Sequence, residues 1–184
     1  APALDRDDAA APELAPALTA LEQGTAALQR ARPLVGHRGP VSAAAFSADG
    51  ARLATVSEDG SGRLWDAGGG ALLARLQPAP VADALRLPGP RAGAVGSEEL
   101  LALAFAPQAP QYGGGALALA GRAGVIWLYD GRDGSPRGAL RGHQGSIAAL
   151  AFAADGARLA SAADDGARLW LRTAQGFAPQ PGAA

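Results

Sequence analysis

The sequence predicts an all-β fold built from about three repeated antiparallel units, with a short helical segment ahead of them. Three observations carry that prediction. Two segments about a hundred residues apart are near copies of one another, Leu34–Asp66 and Leu140–Leu171. Within each copy, short apolar runs are broken by acidic-Gly pairs, the chemistry of tight hairpin turns. The interval from Tyr129 to Trp170 is 41 residues, one period of a repeat architecture.

The segment ahead of the repeats is Ala- and Leu-rich. Leu18, Leu21, Ala26 and Leu28 make an apolar stripe from about Pro16 onward, so a helix interrupted at Gly24 is expected within Ala10–Arg32. The first copy, residues 34–76, opens with Gly36-His37. An apolar run, Val41–Phe46, leads into Ser47-Ala48-Asp49-Gly50, and a second run, Arg52–Ser57, leads into Glu58-Asp59-Gly60. A third run ends at Trp65-Asp66. Three short strands joined by such turns form an antiparallel meander. The last copy repeats the order with Gly142-His143, Ile147–Phe152, Ala154-Asp155-Gly156, Arg158–Ala162, Asp164-Asp165-Gly166 and Trp170. Its Phe152-to-Trp170 interval is 18 residues, against 19 from Phe46 to Trp65, and Leu171 stands where the first copy has Asp66.

A degenerate copy lies between them, over residues 99–139. Leu100–Phe105 aligns with the run ending at Phe152, and Gly124–Asp130 aligns with the run ending at Trp65-Asp66, which puts Tyr129-Asp130 at the end. It has no Gly-His, and Leu119 and Ala123 replace the hydroxyl and the Asp of the other copies. Trp65 to Tyr129 is 64 residues, one period plus an excess. That excess maps to the Pro- and Gly-rich stretches Gln77–Gly96 and Pro107–Gly115, expected as loops. The tail, residues 172–184, reads as a linker.

This pattern resembles the WD-repeat family of β-propellers, in which one repeat supplies a four-stranded blade. The resemblance implies a partial propeller of about three four-stranded antiparallel blades over residues 34–171. It also implies two structural hydrogen-bond tetrads, His37, Thr55, Asp59 and Trp65, and His143, Ser161, Asp165 and Trp170. In each, the hydroxyl bridges the imidazole and the indole N–H while the carboxylate fixes the imidazole. His, Ser or Thr and Asp are also the residue types of a catalytic triad. A nucleophile, however, needs exposure and an oxyanion site, and no Gly-x-Ser-x-Gly is present. The expected sets of catalytic, metal-binding and cofactor-binding residues are therefore empty.

Composition narrows function by exclusion. The chain has 184 residues, of which 48 are Ala, and 16 basic against 17 acidic residues give a net charge of −1. That balance gives no general attraction to nucleic acid or to an anionic membrane. Arg86, Arg91, Arg132, Arg137 and Arg141 form no stripe with interleaved aromatics, so no nucleic-acid surface is expected. With no Lys, a Walker-type phosphate loop and a Schiff-base lysine are excluded. Gly68-Gly69-Gly70 and Gly113-Gly114-Gly115 accordingly read as turns. With no Cys, thiolate chemistry and disulfides are excluded as well. The two His residues stand 106 positions apart with no helical His partner, and Asp5, Asp7 and Asp8 lack the Gly and distal Glu of a calcium loop.

The function expected is a non-enzymatic scaffold that binds other proteins within a larger assembly, in the cytoplasm, with a cytoskeletal or ciliary assembly as a narrower family-level expectation. The alternative is a regulatory propeller segment of a multidomain signalling ATPase, kinase or other enzyme. The chain opens with Ala1-Pro2 rather than Met, and three repeats fall short of the 4 to 8 blades that close a propeller. Further blades are therefore expected in the same or another chain.

Overall fold

The computed structural model describes residues 32–78, 99–107, 115–174 and 176–180. The helix expected within Ala10–Arg32 falls outside the described residues, apart from Arg32, which has no regular structure. So do most of the two expected loops. Residues 32–35 also lack regular structure.

Within residues 36–180, the described strands form three four-stranded antiparallel sheets. The first contains β1 (Val41–Phe46), β2 (Arg52–Ser57), β3 (Gly62–Asp66) and β4 (Leu72–Leu76) in that order. The second contains β5 (Leu100–Phe105), β6 (Ala116–Gly121), β7 (Val125–Asp130) and β8 (Pro136–Arg141). The third contains β9 (Ile147–Phe152), β10 (Arg158–Ala163), β11 (Gly166–Thr173) and β12 (Gly176–Pro179). Each is a meander of sequence neighbours, as short Asp-Gly connections require. Gly50, Gly60 and Gly156 close such turns with φ of 68°, 79° and 67°, a backbone that favours Gly.

Part of the tail read as a linker is strand instead: Gly176–Pro179 forms the outer edge of the third sheet. Arg172 pairs with Phe177 and Thr173 with Gly176 across a short hairpin. Phe177 packs against the core and meets Phe152 edge to face, with ring centroids 5.8 Å apart. A lone aromatic between Gly176 and Pro179 carries no alternating pattern, which is why the sequence does not announce this strand.

The sheets stack like blades, with β5 packed on β1 and β2, and β9 packed on β5 and β6. Strand alternation decides which junction each side chain fills. On β6, Leu117 and Leu119 point into the first junction, where they meet Ala54, Val56, Leu64 and Leu76. Their neighbours Ala118 and Ala120 point the other way, to Ile147, Leu159 and Trp170. The middle sheet is thus buried on both faces, and all six residues of β6 are buried. Small Ala on one face and Leu on the other lets the sheets approach closely. At the first junction a Cβ on Gly62 would lie 2.8 Å from Leu119 Cδ1 and 3.1 Å from Leu76 Cβ, so no larger residue fits there without movement.

Candidate functional site: two buried hydrogen-bond networks

In the third sheet, β10 and β11 place Leu159 opposite Trp170 and Ser161 opposite Arg168. The turn that joins them carries Asp165, and Gly142-His143 lies in the connection between β8 and β9. The four predicted residues come together. Trp170 Nε1 donates to Ser161 Oγ at 2.8 Å, His143 Nε2 lies 2.7 Å from the same oxygen, and His143 Nδ1 lies 2.5 Å from Asp165 Oδ1. The Gln144 N–H donates to Asp165 Oδ2 at 2.9 Å.

Electrostatics fixes the proton positions. The Gln144 N–H first, then His143, hold the Asp165 pKa down to about 2, so it is a carboxylate at neutral pH. A carboxylate can only accept, so His143 Nδ1–H donates to Asp165, and in that tautomer Nε2 accepts from the Ser161 hydroxyl. Protons then run in one direction, from indole to hydroxyl to imidazole to carboxylate.

The first sheet builds a variant of the same network. Trp65 Nε1 donates to Thr55 Oγ1 at 2.9 Å, and His37 Nε2 lies 2.8 Å from that oxygen. Here, however, His37 Nδ1 stands 3.4 Å from Asp59 Oδ2 and 3.2 Å from Ser61 Oγ, while Ser61 Oγ donates to Asp59 Oδ1 at 2.6 Å. Ser61 belongs to the residue that the shorter turn of the last copy lacks. With it absent, Asp165 reaches its imidazole directly. Burial alone would raise the Asp59 pKa, yet the Ser61 hydroxyl, the N–H groups of Arg38 and Ser61 and the nearby His37 together hold it below the ordinary value. Burial lowers the His37 pKa, with Arg63 adding to the effect against the pull of Asp59.

Sequence reading missed Ser61 and Arg63. Arg63 is buried, donates to Gly36 O and lies with its guanidinium 5.8 Å from the Trp65 ring centroid. The single-residue difference in turn length was the available signal for Ser61. Nothing in the pattern separates Arg63 from its exposed counterpart Arg168.

The middle sheet has no such network. Leu119 takes the hydroxyl position, and Tyr129 takes the Trp position, sending its hydroxyl to Gln77 O, just past β4, at 2.7 Å. Burial pushes the Tyr129 pKa up to about 12, so this donor stays protonated. Trp127 Nε1 is buried without a partner among the described residues.

These networks resemble triads in composition only. Each hydroxyl oxygen already accepts an indole N–H, and Ser161 and Thr55 are buried, so neither lone pair nor approach path serves a nucleophile. No group of three or more metal-ligating side chains occurs among the described residues.

Four-stranded meanders stacked face to face, with a His–hydroxyl–Trp–Asp network repeated in the first and third, define a segment of β-propeller. The family model described as "WD domain, G-beta repeat" matches residues 28–66 and 134–170, so two segments of the chain are WD40 repeats. No curated protein matches the sequence. Among solved structures, "Crystal structure of RRP9 WD40 repeats" is similar at a TM-score of 0.63 and 20% identity, covering 82% of this chain and 41% of that one. "Structure of U3-55K" is similar at a TM-score of 0.61 and 19% identity, covering 82% and 42%. The chain thus spans about two-fifths of the length of the solved structures it matches. WD40 repeats are typical of protein-interaction scaffolds, and the fold is generally non-enzymatic.

Proposed function

We propose that this chain is the three-blade part of a non-enzymatic WD-repeat scaffold, completed by further blades and holding partner proteins within a larger assembly. One observation carries the reading. The described side chains of triad type sit inside satisfied networks within the first and third blades, where they hold strands and turns in register. What remains for function is surface: the turns at either end of the blades, the outer edges and the inter-blade grooves. Nothing in the fold or the solved relatives speaks for a cytoskeletal or ciliary assembly in particular.

The test is affinity capture with the complete protein, followed by cross-linking to locate the contacts. Specific partners cross-linked to turns and outer strands support the scaffold. Capture of none above background overturns it. Sequence flanking these residues decides between a scaffold and the regulatory segment of an enzyme: more repeats favour the first, a kinase or nucleotide-binding motif the second.

A further inference from the structure

The connections that lead into β1 and β9, residues 36–40 and 142–146, meet matching networks but different charges. Three ties hold the first connection to one cluster. Arg63 donates to Gly36 O, His37 Nε2 bonds Thr55, and the Arg38 N–H donates to Asp59 Oδ2 at 2.7 Å. Just beyond, the Glu58 N–H donates to Pro40 O at 3.0 Å. The charged groups that bear on His37 are Asp59, on the β2–β3 turn, and Arg63, on β3. Asp59 stands 3.4 Å from Nδ1, and its oxygens already accept from the Ser61 hydroxyl, the Ser61 N–H and the Arg38 N–H. Arg63 is buried, makes no ion pair among the described residues and leaves its Nε–H without an acceptor. In the third sheet, Asp165 contacts His143 Nδ1 directly, and the counterpart of Arg63, Arg168, is 42% exposed and 3.4 Å from the same carboxylate.

A proton added at His37 Nε2 points at the Thr55 hydroxyl, which already accepts from Trp65 and so loses the acceptor of its own proton. It also sets a second buried cation beside Arg63, with one carboxylate to balance both. Opening the connection relieves both costs, because the imidazole and the guanidinium then reach water.

We propose that residues 36–40 form an acid-released strap: protonation of His37 beside Arg63 unlatches this connection from the first sheet and uncovers Trp65, while residues 142–146 stay latched over Trp170. Burial, with Arg63 adding to it against the pull of Asp59, holds the His37 pKa below 6.5 in the closed state. The open strap therefore takes up the proton first, and opening grows as pH falls through 6.5. Asp59 and Asp165 titrate below 3.8, so both stay ionised over that range. The strap works whether or not the surface holds partner proteins.

The test is amide hydrogen exchange on the full chain, followed by NMR between pH 7 and pH 5 and corrected for the intrinsic dependence of exchange on pH. Protection of the Arg38 and Glu58 amides should fall at least about threefold more than that of their counterparts Gln144 and Asp164, or of the amides of β6. Arg63→Gln, which removes the second cation, should shrink that difference, and His37→Gln should abolish it. Equal loss at both connections, loss at neither, or a difference that survives unchanged in Arg63→Gln or His37→Gln overturns the proposal. Should a variant fold poorly, the contrast between the two connections in the wild type decides alone. Failure here leaves the scaffold reading to affinity capture.

Discussion

Ser161 Oγ serves two buried nitrogens, Trp170 Nε1 and His143 Nε2, and no other group in the described structure reaches them both. Ser161→Ala therefore removes more than one bond: it leaves an indole N–H and an imidazole nitrogen desolvated and unpaired. The expected cost is about 1–3 kcal/mol, read as a lower urea midpoint with unchanged slope. An unmoved midpoint would show that the network contributes nothing. The middle sheet illustrates the opposite case, since Leu119 offers no hydroxyl and Tyr129 bonds elsewhere. The same networks set an acid limit. The Asp165 carboxyl titrates near 3.8 when unfolded and near 2 when folded, so the unfolded chain binds the extra proton between those values. Its contribution is complete above about pH 4 and is lost as pH falls toward about 2. His37 acts in the same direction at milder pH. Burial lowers its pKa below 6.5, so the unfolded chain takes up the proton first and stability declines as pH drops below 6.5. Melting temperature followed against pH should decline less steeply below pH 6.5 in His37→Gln, and less steeply between about pH 4 and 2 in Asp165→Asn. Slopes identical to the wild type would remove the assignment.

Blade stacking concentrates demand on a few close approaches between elements. Gly62 opens β3 where Leu119 of β6 presses from the next sheet, and a methyl group there would sit 2.8 Å from Leu119 Cδ1. Gly62→Ala should destabilise by about 1–3 kcal/mol through overpacking, and adding Leu119→Val should recover part of that loss. Strict additivity in a denaturant double-mutant cycle would show that the two residues do not press on one another. How legible each element was in the sequence follows from where it lies. The inner runs Val41–Phe46, Arg52–Ser57 and Ile147–Phe152 are strands with those bounds, because apolar residues and Asp-Gly turns mark both ends. The hydrogen-bond partners came from the family resemblance, carried by the His, hydroxyl, Asp and Trp that both copies keep. Outer strands were harder to read. Pro136–Arg141 is exposed except at Leu140, and Gly176–Pro179 has one large apolar residue, so hydrophobic patterning gave them little signal. Turn length was visible but not its consequence, that Ser61 stands between His37 and Asp59 while Asp165 binds His143 directly.

The two internal junctions show what an end blade lacks. Phe105 and Phe152 occupy matching places on β5 and β9, each half-buried against the preceding sheet. Phe46, their counterpart on β1, is 63% exposed. At the other end, Leu64 and Leu128 are buried against the following sheet, while their counterpart Leu169 is 38% exposed. Each junction in the stack joins one face of the Phe46 kind to one of the Leu169 kind, so among the described residues the three-blade unit ends in one unfilled half-junction of each kind. Exposed apolar sheet faces favour association, and a repeat unit is stabilised chiefly by its neighbours. The isolated 184-residue chain should therefore bind an apolar dye and show concentration-dependent mass in sedimentation. Phe46→Ser/Leu169→Ser should reduce both. Because the two side chains are already largely in water, that variant should melt within a few degrees of the wild type, whereas a core truncation such as Leu117→Ala should cost about 2–5 kcal/mol. Adding the neighbouring blades should suppress dye binding and raise the melting temperature, since it fills both half-junctions. A chain that stays monomeric at high concentration, ignores the dye and melts in one sharp transition would mean that three blades suffice, and that the exposed Phe46 and Leu169 are not waiting for a neighbour.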